Sequence, residues 1–159
     1  MDSLYFDLLK VVFHLGLAVL VGGSLVLGSA AAPAIFGAAR SRAEAGTTFA
    51  QVLARFDGMA IVSLVAVVVA TFLRALSFEV DPDLRLVARW AFVGLLAAST
   101  LYASAWANPV ARSIRRQTPG FDDLPPAHVA RREFATLHAR SRRAMSATAL
   151  FGVVVLFLS

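Results

Sequence analysis

Charged residues divide the chain into four long uncharged runs. Val11 to Ala39 covers 29 residues between Lys10 and Arg40, and Trp90 to Ala111 covers 22 between Arg89 and Arg112. About 20 residues of helix cross a hydrocarbon core, so both runs predict transmembrane helices. Gly58 to Leu73 and Ala144 to Ser159 are shorter, 16 residues each, and their helices must borrow flanking turns. Around the second run, Phe49 to Phe56 and Ala75 to Phe78 supply those turns, with Arg74 snorkelling to the interface. Its Val, Ile and Thr residues favour strand in water. A lipid-facing strand, however, needs a closed barrel, and the alternation of barrel strands is absent. The pattern therefore predicts an all-α, integral membrane four-helix bundle in one domain, residues 1–159, with spans at about 11–33, 55–76, 89–110 and 138–158.

The connections follow by subtraction. Arg40 to Asp57 carries Gly46 and an amphipathic lead-in to the second helix. Leu76 to Arg89 holds Asp81-Pro82-Asp83, a turn in which Pro presets φ and Asp can cap the next helix. Arg112 to Arg143 contains Thr118-Pro119-Gly120 and Leu124-Pro125-Pro126. Beyond it Ala127, Ala130, Phe134, Leu137 and Ser141 recur at helical intervals. The fourth helix is thus expected to start near Pro126 and to project from the membrane as a cytoplasmic extension.

Composition strengthens the membrane assignment. Hydrophobic residues make up 58% of the 159 and mean hydropathy is +0.73, against roughly 45–50% apolar residues in soluble domains. A chain this short cannot bury that surplus internally. A cleaved signal peptide ending at Ser29-Ala30-Ala31-Ala32 is the rival reading of the first run. It fits poorly, because the preceding Asp2, Asp7 and Lys10 are net negative, the run is too long, and Pro33 would follow the cut. Cysteine is absent, which removes disulfides, thiolate metal sites and thiol nucleophiles.

Charge then orients the bundle. The first and third connections hold 11 Arg, whereas the other face holds only Lys10, Arg74, Arg85 and Arg89. By the positive-inside rule the basic face is cytoplasmic and both termini are outside, in a multi-pass inner-membrane protein. The net charge of +5 then reports orientation and anionic headgroups. The basic residues are not interleaved with stacking aromatics, so the expected partners are membrane lipids and an unknown small molecule, with no nucleic acid. Ser24, Gly28 and Ala32, and likewise Ser99, Ala103 and Ala107, form small-residue ridges suited to helix packing within the chain or in a homo-oligomer.

Few polar residues lie at membrane depth, and each is a candidate for function. His14 and His138 could carry heme, metal or protons, or His14 could simply be bonded to a backbone carbonyl at the interface. The first helix descends from His14 while the fourth ascends from His138, so the two are separated by about 20 Å or more and cannot share one heme iron. His138 and Met145 are seven residues apart, about 10 Å of helix, too far to share an ion, so no metal is expected. The inner ends of the helices carry a more promising group. Asp57, Asn108, His138 and Ser141, with Phe36 nearby, are candidate substrate-binding residues lining a polar vestibule open to the cytoplasm. The alternative use of the same region is an interfacial ion-pair and capping cluster of Asp57, Arg112, His138 and Arg142. Leu17 to Leu27, Leu64 to Leu73, Trp90 to Leu96 and Val153 to Leu158 contain no ionisable side chain, so no polar site is expected in the outer half.

His14-Leu15 through Gly22, Ala32-Pro33-Ala34-Ile35-Phe36, Asn108-Pro109 and Phe134-x-x-Leu137-His138-x-x-Ser141 resemble the transmembrane protein 205-like family of four-span membrane proteins. Met145 stands where that family is expected to place Asn. The family's vertebrate member is associated with drug resistance and export, which implies a transport-like role. A broader similarity to copper-resistance membrane proteins and heme-dependent membrane oxidases implies a b-type heme or copper redox alternative. The leading expectation is a non-enzymatic protein that binds or moves a small solute, metal complex or lipid. A non-catalytic scaffold is the third possibility.

Overall fold

The computed structural model describes residues 2–79 and 81–159. Four long helices account for nearly all of it: α1 Ser3–Ala38, α2 Arg42–Phe78, α3 Leu84–Gln117 and α4 Val129–Leu158, each long and apolar enough to cross a membrane. No strand occurs among the described residues. Each apolar run read from the sequence falls on one helix, with only Ala39 and Ser159 lying past a helix end, and α2, α3 and α4 extend beyond their runs at the basic end. The amphipathic lead-in is simply the first turns of α2, which leaves residues 39–41 as the whole first connection. The fourth helix starts at Val129, three residues later than expected, because His128 caps it by accepting a 3.2 Å bond from the Ala130 amide.

Local chemistry sets the other helix starts. Ser41 accepts from Glu44 N at 3.1 Å while Glu44 accepts from Arg40 N at 3.0 Å, a reciprocal capping pair for otherwise orphaned amides. Asp83 accepts from Leu86 N at 2.8 Å, the role its turn predicted.

The helices neighbour one another in the order α1, α2, α3, α4, with α4 returning against α1. Phe13, Leu17, Leu20, Val67, Leu96 and Val155 are fully buried along the axis. Val62, Phe72 and Phe157 point outward at 71%, 61% and 80% exposure, and apolar residues on this scale around every helix suit lipid, not water. Between α1 and α2 the approach is close: a Cβ on Gly16 would stand 2.9 Å from the Ser63 carbonyl. Of the two small-residue ridges, Ala103 and Ala107 are fully buried inside the bundle, whereas Gly28 faces open space.

Two helices change their hydrogen-bond pattern just before a proline. Leu27–Ala31 precedes Pro33 and Leu101–Ala107 precedes Asn108-Pro109, and both are π-helical. The Ala32 amide bonds to Leu27 O and the Asn108 amide to Ala103 O, five residues back instead of four. Proline lacks an amide and crowds the carbonyl four residues earlier, and a wider turn absorbs that conflict.

Candidate functional site

At the basic end three helices meet through one polar cluster. Asp57 of α2 accepts from Asn108 Nδ2 at 2.8 Å and from Arg112 Nη1 at 2.5 Å, both on α3. Ser141 of α4 donates to the Asn108 side-chain carbonyl. Asp57, Asn108 and Ser141 are 4%, 2% and 2% exposed. Each carboxylate oxygen therefore has its own donor, and Asn108 uses both ends of its amide to link α2 to α4. A buried carboxylate persists only when it is paired and hydrogen-bonded in this way.

Beside this cluster opens a cavity of about 940 Å³, near the upper end of the roughly 300–1,000 Å³ range of small-molecule sites. Asn108 and His138 stand on its wall, as do Phe36 and Arg112. Asp57 and Ser141 do not reach it; they lie behind Asn108 and hold it. The four expected site residues thus divide into two on the cavity surface and two that position one of them. His138 lies parallel to the Phe134 ring, 8° between planes and 5.9 Å between centroids. It makes no hydrogen bond to the Asp57 cluster. Arg142 is exposed and stands outside the cluster, so the alternative grouping keeps only Asp57 and Arg112.

Residues outside the expected set complete the wall. Arg115 donates through Nη2 to Asp122 at 2.8 Å and to the Ala43 carbonyl at 3.1 Å, which ties the 118–128 connection and the start of α2 to α3. Gly46 makes this possible, since a Cβ there would sit 2.5 Å from Arg115 Nη1. Phe121 lies under the Arg115 and Arg131 guanidiniums at 5.9 and 5.2 Å and packs edge-on against Phe134. One signal for Arg115 was present in the sequence: Asn108, Arg112 and Arg115 are spaced four and three apart, on one helix face. Nothing local marks Phe121, which reaches the site from a 3-10 turn, Phe121–Asp123.

The far end of the bundle corrects two expectations. Arg74 does not snorkel: it is 6% exposed, over the faces of Phe6 and Phe13 at 5.3 and 5.5 Å. Arg89, 5% exposed, pairs with Glu79, which also lies 3.6 Å from Arg74 Nε and accepts from Trp90 Nε1 at 3.1 Å. A second buried ionic cluster therefore exists in the half where the sequence predicts packing mainly by apolar and small residues. The four outer stretches are indeed uncharged, but Arg74 and Arg89 adjoin two of them and fold inward onto one carboxylate.

His14 also belongs to the far end. Its Nδ1 donates to the Lys10 carbonyl at 2.7 Å and its Nε2 meets Ser159 Oγ at 3.2 Å. Ser159 follows the last turn of α4, and His138 lies about 20 residues, or some 30 Å, earlier on that same continuous helix. The two histidines occupy opposite ends of the bundle and cannot ligate one metal.

Four apolar helices enclosing buried ionic clusters define a multi-pass, helical, membrane-type protein. The chain belongs to the family described as domain of unknown function DUF4149, which it matches over residues 15–119. The matched segment holds Gly46, Asp57, Asn108, Arg112 and Arg115 and stops short of α4. No curated protein and no solved structure matches the chain.

Proposed function

We propose that this protein binds or moves a small solute, metal complex or lipid through a vestibule on the cytoplasmic face of the inner membrane, with both termini outside. The observation that carries the reading is the 940 Å³ cavity at the basic end, whose wall includes Asn108 and His138. A purely structural ion-pair cluster has no need of such a space. The orientation rests on the 11 Arg of the first and third connections against four basic residues elsewhere. The likeness to the transmembrane protein 205-like family supports a transport role for the same face. In this reading Asn108 and His138 meet the ligand, and Asp57 and Ser141 orient Asn108.

The absence of cysteine gives a direct test. Ala54, on the cavity wall, is replaced in Ala54→Cys, the sole thiol in the protein. A membrane-impermeant maleimide is expected to label it in inside-out vesicles and not in right-side-out ones. Labelling only from the outside, or none in folded protein, would sink the vestibule.

A further inference from the structure

The cavity has a charged part and an aromatic part. Arg42, Arg112, Arg115, Arg116 and Arg131 line it against only Asp122 and Asp123, and Asp57 holds Arg112 from behind. Two positive charges remain in excess. Asp122 serves Arg115 at 2.8 Å and Arg131 at 3.9 Å, while Arg42 and Arg116 are exposed and have no ion pair among the described residues. Helix electrostatics do not account for Arg42, since a cation in a first helical turn opposes the helix dipole. The positive-inside rule accounts for arginines on this face but not for five of them around one cavity. The aromatic part consists of two ring pairs, Phe36 with Phe49 at 6.1 Å and Phe121 with Phe134 at 5.2 Å.

A guanidinium presents a planar fork of donors that matches carboxylate and phosphate oxygens, and phenyl rings offer apolar area with no polar handle. Free cations are repelled by the excess charge, and a small hydrophilic anion leaves the rings unused. Building on the vestibule proposed above, we infer that its ligand is an amphiphilic anion. The arginines hold a phosphate-type or carboxylate head, and the two phenylalanine pairs hold an apolar body. A bilayer lipid and a free soluble amphiphile share this chemistry.

The test uses full-length protein in phosphatidylcholine nanodiscs and the fluorescent amphiphile 11-(dansylamino)undecanoate, with empty nanodiscs as background. Saturable binding is expected, with displacement by dodecyl phosphate but not by inorganic phosphate or dodecanol. The double variant Arg42→Gln, Arg116→Gln alters two exposed side chains, and its melting profile serves as the folding control. It should bind the probe about tenfold more weakly, as befits two charge pairs of surface strength. Displacement when phosphatidylglycerol is added to the nanodisc identifies bilayer lipid as the source; displacement by dodecyl phosphate alone identifies a free amphiphile. Inorganic phosphate competing as well as dodecyl phosphate would overturn the amphiphile. Dodecanol competing equally, with the double variant unchanged, would overturn the anion yet leave an occupied vestibule. No saturable binding of any probe, together with failed Ala54→Cys labelling, would overturn both readings.

Discussion

Asp57 is a carboxylate at 4% exposure in a helix long and apolar enough to cross a membrane, and three side chains hold it in place. Arg112 supplies the opposite charge, Asn108 the second donor, and Ser141 fixes Asn108. Asp57→Ala removes the charge and leaves the Arg112 guanidinium and the Asn108 amide without their shared acceptor. Breaking a buried pair from one side costs about 3–5 kcal/mol. Ser141→Ala removes one neutral hydrogen bond, worth about 1 kcal/mol. Unfolding in detergent, titrated with a denaturing surfactant, is expected to show Asp57→Ala losing several times more stability than Ser141→Ala. Equal losses would mean that Asp57 does not anchor the cluster.

Among the elements, the π-helical segment Leu101–Ala107 has the largest consequence for the site. One residue of extra winding turns everything beyond it by about 100° relative to a regular α-helix. Asn108 is the first residue after that segment, so its direction toward Asp57 and Ser141 depends on the wide turn. Proline inside a helix ordinarily costs about 3 kcal/mol relative to alanine. Pro109→Ala is nevertheless expected to give no gain in stability, because a helix free to return to regular winding rotates Asn108 out of its two bonds. Thermal unfolding of the variant checks this. A gain near the full 3 kcal/mol would show that the π segment merely accommodates the proline.

The whole molecule is polarised. One end carries 11 Arg, the cavity and the Asp57 cluster; the other carries the Arg74, Glu79 and Arg89 cluster with the His14 contact to Ser159. Ion pairs at both ends, with Phe13, Leu17, Val67 and Leu96 packed between them, leave the middle of the bundle without charge. Reporter fusions at Gly120 and at Ser159 should therefore fall on opposite sides of the membrane, with Gly120 cytoplasmic. Fusions on the same side would be incompatible with four spans.

The sequence by itself determined the helices, their number and the concentration of arginine at one end, because hydropathy and charge over twenty residues are local properties that need no partner. It also brought Asp57, Asn108, His138 and Ser141 to one level, since depth follows from counting residues along each span. Tertiary structure alone decided which of these face a cavity and which hold a neighbour in place. That choice depends on rotation about the helix axis, which the π turn before Asn108 resets and which periodicity cannot carry across. Contacts between distant segments lay equally beyond the sequence: Gly46 clearing space for Arg115, Phe121 arriving from a turn, and Glu79 drawing Arg74 and Arg89 inward. In each case the deciding quantity is a distance between elements that the chain leaves open until the helices pack.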